Sequence, residues 1–105
     1  MNKANILSHI PTDLPEEVFE DIINHKKVKI ERIVSKGQVT PINQWYDQIQ
    51  NEWVMLVNGS AVIQFQDDQE ISLSKGDYIN IPAGKKHRVS WTDPECETIW
   101  LAVHY

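Results

Sequence analysis

Residues 74–92 read SKGDYINIPAGKKHRVSWT, and they decide the fold. Ser74-Lys75-Gly76-Asp77 is a turn, Tyr78 to Pro82 is a short strand, and Ala83-Gly84 turns again. A second strand runs from His87 to Thr92, with His87, Val89 and Trp91 on one face and Arg88 and Ser90 on the other. Two short strands with turn chemistry between them are the unit of an all-β domain.

The same rhythm extends in both directions. Strands are expected at about 43–48, 52–58, 61–66, 70–73 and 97–104, and Val28 to Val34 alternates with a period near two. Asn58-Gly59-Ser60 is the strongest hairpin signal. Glu52, Val54 and Leu56 share one face of their strand; Trp100, Ala102 and His104 share one face of the last. That last strand is apolar on both faces, so its outer face needs a cover. Upstream, Pro15-Glu16-Glu17 followed by Val18, Phe19, Ile22 and Ile23 predicts one short helix over about 14–23. The chain divides into an N-terminal segment, 1–26, and a barrel, 27–105.

These residues resemble the cupin superfamily. Its second motif is a Gly, five residues, Pro-x-Gly, two residues and His; Gly76, Pro82, Gly84 and His87 match every spacing, while Trp91 stands where the motif closes with Asn. Its first motif ends in Glu, six residues and Gly, as Glu52 and Gly59 do. The resemblance implies an all-β double-stranded β-helix, a jelly-roll barrel of the RmlC-like type. It also implies a divalent metal inside the barrel, with Glu52 and His87 as ligands. The first motif should add His-x-His three or four residues before the Glu. Counting four places these at Trp45 and Asp47, counting three at Tyr46 and Gln48, and none is a histidine.

Asp47 is a candidate third ligand, and with Glu52 and His87 it makes an O,O,N set suited to Zn, Mn, Fe or Ni. His104 is a further candidate for the missing imidazole. Trp45, Tyr46 and Trp91 are candidate walls of a small-molecule pocket, and Tyr46 is a candidate general acid. Two functions stay open. One is metal-assisted chemistry, an isomerase, lyase or oxygenase acting on a small acid or sugar-like compound. The other is metal-free binding or sensing of a small ligand. A barrel simply filled by its own side chains is the structural alternative.

Composition sets limits on partners. Ten Lys+Arg against fifteen Asp+Glu give a net charge of −5, which disfavours nucleic acid. No apolar run is long enough to span a bilayer, and no signal peptide is evident, so a cytoplasmic location is expected. The lone Cys96 forms no internal disulfide, and Glu95 and Glu97 disfavour its thiolate. No P-loop, dinucleotide fingerprint or nucleophile elbow occurs. The two-sided apolar last strand makes a homodimer the expected assembly.

Overall fold

The computed structural model describes all 105 residues and is all-β. Eight strands follow in chain order: β1 Val18–Asn24, β2 Lys29–Ser35, β3 Glu52–Asn58, β4 Ser60–Phe65, β5 Glu70–Ser74, β6 Tyr78–Ile81, β7 His87–Thr92 and β8 Thr98–His104. They form a five-stranded sheet ordered β1-β2-β8-β3-β6 and a three-stranded sheet ordered β5-β4-β7. Every ladder is antiparallel. The two sheets face each other as a jelly-roll barrel.

The inner faces meet in a core of Val54, Leu56, Ala61, Ile63, Phe65, Leu73, Ile81, Trp100 and Ala102. Each is an alternate residue of its strand, as a one-sided sheet requires. Burying a side chain such as Leu56 or Ile63 stabilises the fold by about 1.5–3 kcal/mol.

The predicted helix over 14–23 does not form; residues 18–24 are β1, paired with β2. The register shifts between Asp21 and Ile23, so Ile22 is an extra residue in the strand. That bulge interrupts the two-residue alternation and leaves Val18, Phe19, Ile22 and Ile23 at helix-like spacing. A ten-residue helix is marginal in water, whereas β2 offers an edge, and the β-branched Val18, Ile22 and Ile23 suit a strand.

The strand expected at 43–48 is also absent. Only Tyr46 pairs, through a single bridge to His87. Pro41 and the left-handed Asn43 (φ 71°) keep the rest of this segment from forming a ladder.

β8 is the middle strand of its sheet, between β2 and β3, so the outer face of its apolar run needs a cover from outside the sheet. Its Leu101 lies opposite Arg32 on β2. Arg32 in turn hydrogen-bonds the carbonyls of Ile6, Ser8 and His9, so the N-terminal segment crosses this outer face. No helix of the structure is long and apolar enough to cross a membrane.

Candidate functional site

Strand pairing builds the site. In the five-stranded sheet, Lys29, His104, Glu52 and Ile81 form one row of directly opposed residues. The next inward-facing row is Glu31, Ala102, Val54 and Ile79. Opposed residues share a face, so two carboxylates and a histidine come to one end of the barrel. His87 enters from β7 of the other sheet, bonded through its backbone to Tyr46.

These side chains line a cavity of about 100 Å³. Its polar wall is Glu17, Glu31, Tyr46, Gln48, Glu52, His87 and His104. The remaining wall is hydrophobic, and it includes Trp100, which is only 3% exposed.

Glu52 Oε1 lies 3.2 Å from His87 Nε2, and both side chains are buried. His87 Nδ1 faces the Lys85 carbonyl at 2.9 Å. Burial alone would lower the His87 pKa, but the bonds to Glu52 and Lys85 outweigh it and leave it raised. A second pair joins His104 Nε2 to Glu31 Oε1 at 2.9 Å. The His104 bond holds the Glu31 carboxyl low, and the same bond raises His104. Glu17 accepts a 2.6 Å hydrogen bond from Ser35, yet burial pushes its pKa up. Burial, followed by the charge of Glu17, raises the Tyr46 phenol, and its ring centroid is 5.6 Å from that of His87.

The sequence candidates fall into two groups. Glu52, His87 and Tyr46 meet at the cavity, and His104 joins them through Glu31. Asp47 does not: it is exposed and lines an adjoining groove that shares Phe19, Glu31, Gln48 and His104 with the cavity. Trp45 and Trp91 do not line the cavity, and Trp91 is 44% exposed. The reason is register. Tyr46 faces His87, so Gln48, two residues on, takes the inner face and Trp45 and Asp47 turn away. The pair reached by counting three, Tyr46 and Gln48, is therefore the one that lines the cavity.

Glu17 and Glu31 were not singled out from sequence; Trp100 was placed on the face of His104 but was not among the candidate pocket walls. Glu31 carried a signal, as a carboxylate two residues before the inward Ile33 in an alternating strand. Glu17 had none, because it lay in a predicted helix. Cys96 is held as a thiol, its pKa raised by burial and then by Asp93.

No three His, Cys, Asp or Glu side chains converge on one point. The fit of an ion rests instead on Glu52, His87 and the buried Gln48 Oε1, which has no hydrogen-bond partner. Two ligands about 2.1 Å from one ion lie about 3.0–3.4 Å apart, and the Glu52–His87 separation falls in that range.

The chain, a two-sheet barrel with acid–imidazole pairs at one end of its interior, belongs to the cupin family: the cupin domain family Cupin_2 matches residues 30–104. No curated protein matches the chain. Among solved structures, it is similar to a Ralstonia eutropha JMP134 protein provisionally described as a mannose-6-phosphate isomerase. That match has 43% identity and a TM-score of 0.94, covering 99% of this chain and 97% of the other. A cupin superfamily protein from Desulfitobacterium hafniense DCB-2 matches with 21% identity and TM-score 0.81, covering 99% and 91%. An RmlC-like cupin from Desulfovibrio desulfuricans matches with 17% identity and TM-score 0.76, covering 99% and 96%. The last two share the fold.

Proposed function

We propose that the barrel interior binds a small polar compound and that Glu52 and His87 form the reactive end of the site. The Glu52–His87 contact carries this reading. The Lys85 carbonyl can only accept, so His87 Nδ1 bears a proton. Nε2 faces a carboxylate oxygen 3.2 Å away. Such an approach is stable when a proton or a cation lies between the two. The pair can hold a proton at Nε2 over the cavity and exchange it with a bound compound.

A divalent ion (Zn, Mn, Fe or Ni) suits the same atoms, with Glu52, His87 and the Gln48 amide oxygen as donors. When bound, it would polarise a ligand oxygen or lower the pKa of a bound water. The second reading is metal-free, and the want of three converging acid or imidazole groups favours it. There the His87 proton occupies the place of the ion.

The provisional description of the Ralstonia protein as an isomerase supports proton-transfer chemistry for this site. Moving a proton between neighbouring carbons needs a base held in place, which a carboxylate-braced histidine supplies. Assembly as a homodimer is proposed on β1, an edge strand whose Phe19, Ile22 and Ile23 are about half exposed.

The test is elemental analysis of protein purified without a His-tag or chelator, beside Glu52→Ala and His87→Ala. Near one equivalent of a transition metal, lost in both variants, supports the metal-centred form. No metal, even after incubation with Mn, Fe, Ni or Zn, leaves the metal-free form.

A further inference from the structure

We infer that Phe19 is the gate of the cavity: its ring stands at the neck between the cavity and the adjoining groove, and access to Glu52 and His87 passes it. The inference rests on the interior-site reading above and adds how that site is reached.

The cavity opens into a second space. A groove of about 530 Å³ adjoins it, lined by Lys29, Asp47, Ile49 and Gln50 together with four residues that also line the cavity. Those four, Phe19, Glu31, Gln48 and His104, form the neck. A residue on both walls sits where the two spaces meet.

Three of the four are held. Glu31 is buried and bonded to His104 at 2.9 Å. β8, which carries His104, is paired on both sides. The Gln48 carbonyl accepts a 2.8 Å bond from the Gly84 N–H. Phe19 has no polar group to tie it, and it is 54% exposed on β1, the edge strand. Its backbone is nevertheless steady. Phe19 lies opposite Ile33 in the ladder, and the neighbouring Glu20 accepts two 2.9 Å bonds from Arg32. The ring can therefore change rotamer while the strand stays in place, and exposed side chains do so in picoseconds to nanoseconds.

The rest of the wall is closed more firmly. Of the residues that line the cavity, only Phe19 and Tyr46 are exposed. The N–H and the carbonyl of Tyr46 are both bonded to the backbone of His87, at 2.7 and 3.1 Å, and Tyr46 does not border the groove. Val54, Ile63, Ile81 and Trp100 are buried. Phe19 is thus the one exposed side chain shared by the cavity and the groove.

Thiol labelling tests the gate without a ligand or a metal. Cys96→Ser removes the native thiol, and Val54→Cys places a new one on the cavity wall. Ala61→Cys, in the core but not on that wall, reports general opening of the barrel. The probe is methyl methanethiosulfonate, which is small and uncharged. Labelling at position 54 is expected to be about five- to tenfold faster in Phe19→Ala, through loss of a half-buried ring, with Phe19→Leu in between. Ile49→Ala, on the groove beyond the neck, should leave that rate unchanged, and Phe19→Ala should leave the rate at position 61 unchanged. Three results overturn the inference: no acceleration at position 54, an equal acceleration at position 61, or an equal acceleration by Ile49→Ala. Phe19 also belongs to the edge proposed for the homodimer, so each rate is read at two protein concentrations. An acceleration confined to the higher one would assign the barrier to the interface and overturn the gate as well. The reading of Glu52 and His87 is judged separately, by the metal analysis: a failed gate leaves that pair in place, and a failed pair leaves the gate.

Discussion

Glu52 on β3 and His87 on β7 come from opposite sheets of the barrel and meet at 3.2 Å. Their segments are tied only by the fold, so the contact is a direct report on barrel closure at this end.

The pair should be visible in the titration of His87. Burial lowers its pKa, and the bonds to Glu52 and Lys85 raise it by more. Glu52→Gln removes the larger raising contact, keeps an acceptor oxygen and leaves the burial. The His87 pKa should then fall below its wild-type value, read by NMR from the ring protons. An unchanged titration would mean that the two groups do not interact in solution. Glu52→Ala should also cost about 1–3 kcal/mol in urea unfolding, because it strands a buried imidazole nitrogen.

The Glu31–His104 pair should give stability a pH window. The Glu31 carboxyl is held low by its bond to His104, so its contribution is present above the ordinary value of 4.5 and lost as pH falls through the lowered one. His104 is raised by the same bond, so its contribution is present below 6.5 and lost as pH rises through the raised value. Both are fully in force between 4.5 and 6.5. Removal of this charge-assisted bond by His104→Gln should cost about 1.5–3 kcal/mol within that window and less in alkaline buffer. Equal losses at both pH values in urea melts would count against the pairing.

Gly59 offers a backbone test. It turns β3 into β4 at φ +91°, and an added Cβ would lie 2.6 Å from Thr98 Cα. Thr98 is fully buried, so neither partner can move aside. Gly59→Ala should lose about 1–2 kcal/mol for the left-handed backbone and about 1–3 kcal/mol more for the overlap. Gly76, also at positive φ, has open space around it, so Gly76→Ala should show the backbone cost alone. Equal unfolding midpoints for the two variants would refute the steric part.

The contrast between what the sequence revealed and what it hid follows from register. Gly76 to His87 was legible because turn residues and strand alternation are local. So was the shared face of Trp100, Ala102 and His104, since β8 runs without a bulge. The choice between Tyr46 with Gln48 and Trp45 with Asp47 was not legible, because a one-residue slip exchanges the faces of a strand. Only the bridge from Tyr46 to His87, a contact between distant residues, decides it. The bulge at Ile22 misled the reading of β1 in the same way, by breaking a period of two. With β1 read as a helix, Glu17 could not be placed in the cavity.

Arg32 bears on both stability and the site. Its buried guanidinium donates to the carbonyls of Ile6, Ser8 and His9 and to both carboxylate oxygens of Glu20. The N-terminal segment so held leads directly to Glu17 and Phe19, which line the cavity. Lysine keeps the charge but not the planar fork, so Arg32→Lys should strand several of these acceptors, at about 1.5–3 kcal/mol. The strands of the core make no use of this side chain, so the barrel should stay folded. Amide exchange should quicken in residues 5–9 and in β1, while β3 and β8 keep their protection. Any ligand of the cavity should bind more weakly to the variant, because Glu17 and Phe19 are less firmly placed. Exchange in residues 5–9 as slow as in wild type would show that the segment is held by something other than Arg32.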